Sequence, residues 1–351
     1  MGTPVPVNVL LRLSLGATMW AALLGCGDER APRTPVARVS NPSALADALR
    51  DPACELSADA TLQLTIQKMV PVPGDMAPKR IVAISPDSLL IVSANEPAAA
   101  LLVDGAAATE FRHEAFNGPV LAIAPEGVFL GHKSHIYFLD KRAGSVQHVY
   151  TAPDTLLYWT SLSYDGSFLW GAGAGQDRSA LARIQTSSLQ KRDALPQAAR
   201  FVDLDGPGII ARLAPGIHAV ADIEQPYTVR LFDRTLAPMA QITPAGWWPI
   251  VREPDAATRI VTMAMLPVSC GGLLQVLTDL RSSRRWLVLY RVDAEEFQQL
   301  RVRELNGPFG LVQTLVAARL LIGFSDDPND RGVVLYRWKW LDSGSRTSRG
   351  G

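Results

Sequence analysis

The sequence predicts an all-β protein folded as a six-bladed β-propeller, and three observations predict it. The body of the chain consists of short apolar or β-branched runs broken by Asp, Gly, Pro and Asn, with almost no helical periodicity. A turn with an acidic residue recurs at a constant interval: from Asp87 to Glu126, Asp165 and Asp205 the spacing is 39, 39 and 40 residues. A strictly alternating strand, residues 61–67, stands alone before the first of these turns. A repeat of about 40 residues is typical of propeller blades and not of β-sandwiches.

Apolar strands that end at a charged residue recur behind the turns and divide the chain into six units. The strands are Leu101–Asp104, Tyr137–Asp140, Arg230–Asp233, Val288–Arg291 and Val334–Arg337. The units run over about residues 79–117, 118–154, 155–197, 198–246, 259–306 and 307–340. Because the last unit contains only three recognisable strands, the lone strand at 61–67 is expected to complete it. This pairing closes the ring and removes exposed sheet edges.

The rhythm of these units resembles that of the six-bladed β-propellers of the NHL and TolB type found in bacterial lipoproteins, over residues 61–340 of this chain. The resemblance rests on the blade repeat and not on a diagnostic motif. The fifth unit departs from it, because the turn returns only near residues 270–272. Residues 244–257 are expected to form an insertion or a long connection between blades. Residues 341–351 are expected to be a disordered tail.

The N-terminus, residues 1–25, has the layout of a secretory signal peptide. One basic residue, Arg12, precedes an apolar run that is shorter than the roughly 20 residues needed to span a bilayer. The run ends in Leu-Leu-Gly before Cys26, which resembles the lipobox of bacterial lipoproteins. The resemblance implies that the Cys26 thiol receives a diacylglycerol, that the chain is cut before it, and that the new amino terminus is acylated. The alternative is an ordinary signal peptide with an incidental cysteine.

Residues 26–60 are expected to hold the lipidated cysteine, a tether and a short helix. The tether, residues 27–39, is polar and broken by proline. Ser43 is expected to cap a helix over residues 44–50. Gly27, and not aspartate, follows the cysteine, which by the same resemblance favours the outer membrane. The predicted localisation is therefore the bacterial cell envelope, with the body facing the periplasm or the surface.

Composition narrows the classes of partner. The 34 basic and 34 acidic residues balance, and no basic face or cationic run is present, which argues against nucleic acid as a ligand. Hydrophobic residues make up 48% of the chain, enough for a large core. If Cys26 is lipidated, Cys54 and Cys270 remain in an oxidising compartment. They form either one disulfide or two buried free thiols.

The search for catalytic and metal motifs gives weak candidates only. His113-Glu114 begins like a zinc-protease helix, but Asn117 stands where the second histidine is required. The pair His132 and His135 is interpreted as part of a hairpin turn, and so is the acidic run at 326–330. The glycine-rich stretch 171–175 lacks the dinucleotide fingerprint and is expected in a hairpin turn. The sequence therefore predicts no metal site and no cofactor, and it leaves the catalytic residues unknown.

Trp247 and Trp248 are the strongest binding candidates. They lie in the long connection between the fourth and fifth units, next to Gly246 and Pro249. Two adjacent aromatic side chains in a loop can form a stacking platform or an interface anchor. The alternative is that one ring fills the gap between two blades. A second pair, Tyr158-Trp159, is expected to pack between blades.

Three functions fit these observations, and the fold alone does not choose among them. The first is a binding or interaction module in the cell envelope, attached to membrane lipid through Cys26, with a protein, peptide or saccharide as its ligand. It predicts aromatic and arginine side chains clustered on one face. The alternative is a propeller hydrolase of the lactonase type, with a metal in the central channel held by Glu, Asp and Asn of several inner strands. The third is a scaffolding role in the envelope.

Overall fold

The structure, a computed structural model, describes ten stretches of the chain. They are residues 36–49, 61–72, 78–186, 199–223, 228–242, 260–269, 271–305, 309–315, 319–325 and 332–341. The predicted signal peptide and most of the predicted tail lie outside them. The described residues belong to one unit, residues 35–351. No helix among them is long and apolar enough to cross a membrane.

Two strands and one helix precede the repeated units. They are β1 (Val36–Arg38), α1 (Pro42–Leu49) and β2 (Thr61–Pro71). The first blade contains β3 (Pro78–Ser85), β4 (Ser88–Ser93), β5 (Ala98–Val103) and β6 (Ala106–Arg112). A single 3-10 turn, Glu114–Phe116, leads to the second blade. That blade contains β7 (Val120–Ile123), β8 (Gly127–His132), β9 (His135–Asp140) and β10 (Val146–Thr151).

The next two blades repeat the same antiparallel meander. The third contains β11 (Tyr158–Tyr164), β12 (Phe168–Ala174), β13 (Ser179–Gln185) and β14 (Ala199–Leu204). The fourth contains β15 (Gly208–Ala214), β16 (Ile217–Asp222), β17 (Val229–Phe232) and β18 (Pro238–Ile242).

The last two blades each recruit a strand from the N-terminal segment. The fifth contains β19 (Ile260–Val268), β20 (Gly272–Asp279), β21 (Arg285–Val292) and β22 (Glu296–Leu305), with β1 paired to β22 at its outer edge. The sixth contains β23 (Phe309–Leu315), β24 (Leu320–Ser325) and β25 (Gly332–Leu341), with β2 paired to β25. The sheet order in each blade follows the chain order, apart from these two additions.

The first strand of each blade is innermost, and these six strands form a closed ring. Each contacts the inner strand of the next blade, and the sixth contacts the first. The ring strands are β3, β7, β11, β15, β19 and β23. This arrangement confirms the predicted six-bladed β-propeller.

The predicted closure by a lone N-terminal strand is also confirmed. Strand β2 pairs antiparallel with β25 from Thr61 opposite Leu341 to Pro71 opposite Gly332, with one bulge after Ile66. The strand is longer than the 61–67 segment that the alternation predicts. Because β2 covers the outer edge of the last blade, the first and last parts of the propeller are joined by backbone hydrogen bonds.

The core consists of six layers, each between two neighbouring blades. Each described cluster of buried apolar residues lies between two adjacent blades, and the six clusters account for all six interfaces; the one between the fourth and fifth blades also contains Val39 and Leu45. In β12, for example, Leu169 packs toward the second blade and Trp170 toward the fourth. Since alternate side chains of a strand point to opposite faces, strands that are packed on both faces, such as β4 and β12, are buried along almost their whole length.

The boundary between the third and fourth units differs from the prediction of residue 197. Strand β14 pairs with β13 and is the outermost strand of the third blade, so the boundary lies between Leu204 and Gly208. The turn at Asp205 therefore joins two blades, whereas Asp87, Glu126 and Asp165 each lie between the first two strands of a blade.

Residues 36–39, the described part of the predicted tether, lie against the propeller. Val36–Arg38 form β1, and Ser40 then hydrogen-bonds to the fourth blade through its N and Oγ, both donating to Met239 O at 2.8 Å. The helix cap is Asn41 and not Ser43: Asn41 Oδ1 accepts from Ala44 N. Leu45 is fully buried against the fourth and fifth blades. The segment thus binds the outer strands of two blades together.

Candidate functional site

Five residues that the sequence singles out lie outside the described residues. They are the lipidation site Cys26, the possible disulfide partners Cys54 and Cys270, and the pair Trp247 and Trp248. Their roles remain predictions. The strands that flank the tryptophan segment, β18 and β19, are described. β18 ends on the face of the propeller at which the inner strands begin.

The histidines that the sequence considers as metal ligands, His113, His132 and His135, lie among the described residues. His132 and His135 face each other across the two-residue turn between β8 and β9. His113 caps the 3-10 turn, its Nδ1 accepting from Ala115 N at 3.0 Å. Within the described stretches, no group of three or more His, Cys, Asp or Glu side chains is placed to hold a metal ion. The acidic run 326–330 lies outside them.

The polar side chains of the inner strands join neighbouring blades. The contacts, in ring order, are Thr160 Oγ1 donating to Gly208 O (2.7 Å), Ser161 Oγ accepting from Ile210 N (3.1 Å), Thr262 Oγ1 donating to Asp222 O (2.8 Å), and Gln313 Oε1 accepting from Ala83 N (2.7 Å). Several of these groups lie at bulges, where the backbone ladder is interrupted. These side chains therefore satisfy backbone groups at the blade junctions.

The inner strands do not fit a metal ion in the channel. The hydrolase alternative requires Glu, Asp or Asn from several inner strands, and the six inner strands contain no Asp, Glu, Asn or His residue. Their one amide side chain, Gln313, is engaged with Ala83 at the junction of the sixth and first blades. The side chains of these strands offer no set of oxygen ligands for a divalent cation.

An open cavity of about 400 Å³ lies at the mouth of the channel, where the first four inner strands end. Its lining combines four apolar residues with two cationic side chains, a phenol and a carboxylate. The lining residues are Ile84, Ile123, Ala124, Pro125, Lys141, Tyr164, Asp165, Gly166 and Arg212. A second crevice, next to Asp205 and Arg230, has a volume of only about 10 Å³, about enough for one water molecule.

The carboxylate of the lining is occupied by internal hydrogen bonds. Asp165 Oδ1 accepts from Ser167 N at 3.0 Å and Phe168 N at 2.8 Å, and its Oδ2 accepts from Trp170 Nε1 at 2.9 Å. These three hydrogen bonds hold the Asp165 side chain in place and stabilise the turn between β11 and β12. Its oxygens are therefore poorly placed to bind a ligand.

The phenol of the lining stays protonated at neutral pH. Tyr164 donates from its hydroxyl to Gly166 O at 2.7 Å. Burial, followed by the Glu126 carboxylate, raises the pKa of Tyr164 above its usual value. The ring thus offers the cavity an aromatic wall and a neutral oxygen.

The two cations of the lining come from different blades. Lys141 follows β9 in the second blade and is exposed, and Arg212 lies in β15 of the fourth blade and is half-buried. Arg212 donates weakly to Tyr164 O at 3.5 Å. In the part of the chain that the structure describes, neither side chain forms a salt bridge. Two cations among apolar lining residues favour a ligand with an anionic group attached to an apolar body.

Sequence reasoning did not identify Lys141, Tyr164 or Arg212. Arg212 lies in an inner strand whose neighbours are apolar, and the lysine is the first residue after a strand. The one signal was the repeated turn, because the cavity lies beside the turns of the second and third blades. The cavity lies at the end of the channel opposite to the ends of β18 and β19 that flank Trp247 and Trp248.

The sequence matches no known protein family and no curated protein sequence. Among solved structures, the chain is similar to the periplasmic gluconolactonase PpgL of Pseudomonas aeruginosa, with a TM-score of 0.48 and 14% identity over 73% of this chain and 86% of that one. It is also similar to virginiamycin B lyase of Staphylococcus aureus, with a TM-score of 0.44 and 11% identity over 80% and 99% of the two chains. A chain of the mitotic checkpoint complex gives a TM-score of 0.47 and 11% identity over 72% and 73%. The propeller arrangement follows from the strand pairing of this chain itself.

Proposed function

We propose that this protein is a binding module of the bacterial cell envelope, anchored to membrane lipid through Cys26, that takes up an anionic ligand with an apolar body at the channel mouth. The observation that carries the proposal is the presence of two cations, Lys141 and Arg212, among the apolar residues that line the cavity. Together with Tyr164 they supply the cluster of aromatic and cationic side chains that a binding module requires. A peptide carboxylate or an acidic saccharide has the chemistry that such a site recognises.

The hydrolase alternative lacks support from the inner strands. A metal in the channel would need carboxylate or amide ligands there, and the only such group, Gln313, already bonds to the backbone of Ala83. The carboxylate of the cavity lining, Asp165, is likewise held by three internal donors. Binding without chemical conversion is the activity that these side chains favour.

The anchor is tested by changing Cys26 to Ala in a bacterial host that is fed radiolabelled palmitate. We expect the unchanged protein to carry label and to sediment with membranes, because two or more acyl chains hold a protein firmly in a bilayer. The Cys26→Ala variant should be unlabelled. Label that persists in the variant would contradict lipidation at Cys26.

The ligand site is tested with a pair of fluorescent probes that differ in charge. Anilinonaphthalene sulfonate carries an anionic group on an apolar body, and N-phenylnaphthylamine has a similar body without the charge. We expect the sulfonate to bind more tightly, and we expect Arg212→Gln to weaken its binding about tenfold, equivalent to ~1.4 kcal/mol, while the neutral probe is little affected. Lys141→Gln should act in the same direction.

The control variant is Arg142→Gln, which removes a cation from the exposed residue next to Lys141, outside the cavity lining. It should leave the binding of both probes unchanged. If all three variants lower sulfonate binding equally, the probe reads overall charge and the proposed site is wrong. If Arg212→Gln weakens both probes equally, the arginine shapes the cavity and does not bind the anion.

A further inference from the structure

Four of the five histidines of this chain lie between residues 113 and 148, and three of them, His132, His135 and His148, lie on strands of the second blade. The sequence pairs His132 with His135 across a turn. The structure also brings together His135 and His148, whose ring centroids lie 5.3 Å apart. These two residues lie on neighbouring strands, β9 and β10, with His135 opposite Thr151 and His148 opposite Tyr137.

The two imidazoles converge on one atom. His135 Nδ1 lies 3.0 Å from Thr151 Oγ1, and His148 Nε2 lies 2.9 Å from the same oxygen. A neutral imidazole has one unprotonated nitrogen, and exchange of its proton places the lone pair on either side of the ring. A metal ion bound by both nitrogens would displace the Thr151 hydroxyl from the position that it shares with them.

The surroundings hold both rings in place and leave them open to solvent. The Tyr137 ring packs edge-on against both histidines, with centroids 6.2 Å from His135 and 5.5 Å from His148. Tyr137 is itself fixed, because its hydroxyl donates to Glu114 Oε1 at 3.1 Å. His148 is exposed and His135 is half-buried, so an ion reaches them from water.

The charges around the pair permit a cation. The nearby lysine, Lys133, acts on the ring at the other side of the turn: it contributes to lowering the pKa of His132, where burial is the larger cause. The Glu114 carboxylate opposes it at His132 and lies beside Tyr137.

We propose that His135 and His148 together bind one divalent transition-metal ion, with water in the remaining coordination positions. Imidazole nitrogen is a ligand for Cu²⁺, Ni²⁺ and Zn²⁺, and Cu²⁺ binds most tightly of the three at a given site. Because the pair offers nitrogen and no carboxylate, Mg²⁺ and Ca²⁺ do not compete for it. The site belongs to the outer strands of the second blade and is independent of the cavity at the channel mouth.

The test uses untagged protein with its thiols alkylated, titrated with Cu²⁺ and followed by electron paramagnetic resonance and calorimetry. We expect one ion to bind with a spectrum that shows two nitrogen ligands. His135→Gln and His148→Gln should each weaken binding at least about tenfold, the lower end of what the loss of an outer-shell partner costs. The double variant should show no specific binding.

The matched control is His132→Gln, which removes the partner that sequence spacing assigns to His135. It should bind Cu²⁺ like the unchanged protein. If His132→Gln abolishes binding and His148→Gln does not, the ligands are the pair across the turn and the proposal is overturned. Equal binding by the double variant and the unchanged protein would place the ion elsewhere. Equal thermal unfolding midpoints without metal show that each variant is folded.

Discussion

His218 is the most unusual single residue of the described chain. It is fully buried between the third and fourth blades and stacks on Trp170, with ring centroids 4.0 Å apart. Neither of its nitrogens has a hydrogen-bond partner in the part of the chain that the structure describes. Burial lowers the pKa of His218 from 6.5 to about 3. A histidine in this position therefore destabilises the folded protein at acidic pH.

The direction of this pH dependence follows from proton uptake. Below pH 6.5 the unfolded chain binds a proton at His218 and the folded chain does not, so stability falls as the pH falls, by up to about 1.4 kcal/mol per pH unit. Replacing His218 with Leu keeps a similar volume and removes the titrating group. Between pH 7 and pH 5 we expect the variant to lose about 2 kcal/mol less than the unchanged protein. Urea unfolding at the two pH values measures this difference.

The comparison is internal, since every other titrating group is shared by the two proteins. At pH 7 the His218→Leu variant should be at least as stable as the unchanged protein, because it no longer buries two unpaired nitrogens. Parallel stability profiles would show that His218 finds a partner or water in the folded state, and that its burial is not the cause of acid sensitivity.

Gly171 and Trp159 show how far the position of a single residue can be predicted from the sequence. The glycine-rich stretch at 171–175 was expected in a hairpin turn, but Gly171 and Gly173 lie within β12. A Cβ at Gly171 would lie 2.5 Å from Trp159 Cζ3, so the missing side chain makes room for the buried ring. The expected packing of Trp159 between blades is confirmed, while its neighbour Tyr158 is exposed. The contact between Gly171 and Trp159 is visible only in the folded structure, which explains why a glycine stands there.

At the scale of elements, the turn repeat predicts the blades because each of the first three blades has an acidic residue in the turn after its inner strand. The repeat is misleading at Asp205. Because the segment between β13 and β14 is long, the residue 40 positions after Asp165 lies before the inner strand of the fourth blade and not after it. The equivalent turn of the fourth blade is Pro215-Gly216, which carries no acidic residue. When the connections inside blades vary in length, residues at a constant spacing in the sequence can therefore occupy different positions in successive blades.

The candidate site lay beyond sequence reasoning for a related reason. Lys141, Tyr164 and Arg212 come from three different blades, and no fixed spacing links them. Ring closure brings together the carboxyl ends of inner strands that are far apart along the chain, and the cavity forms only there. The segment 36–39 was likewise expected to be part of a tether, because a three-residue strand has too few residues for a readable alternation.

At the scale of the whole molecule, the six interblade layers depend on one another through the closed ring. The layer between the sixth and first blades contains Val70 of β2 together with apolar residues of both blades. Gln313 adds two hydrogen bonds to Ala83 across the same junction. If this junction opens, the outer edge of β25 and two apolar sheet faces meet water at once. Closure by β2 is therefore expected to control the stability of the entire propeller.

An engineered disulfide between β2 and β25 tests this dependence. Gln63 and Lys339 lie directly opposite each other and are exposed, so Gln63→Cys with Lys339→Cys places the two Cα atoms about 4.5–5.5 Å apart, within disulfide range. The oxidised protein should gain roughly 2–4 kcal/mol in unfolding free energy, because the bridge joins the two ends of the ring. Reductant should reverse the gain, and peptide mapping should identify the bridge.

The register supplies the control for this experiment. Arg337 lies opposite Thr65 and not opposite Gln63, so Gln63→Cys with Arg337→Cys puts the cysteines on a diagonal, about 7–8 Å apart. That pair should remain reduced under the same conditions, since its Cα atoms exceed the usual span of a disulfide. Efficient bridging of the diagonal pair would mean that β2 slips along β25. A bridged direct pair with unchanged stability would mean that the ring opens at another junction, where Gln313 and β2 do not hold it.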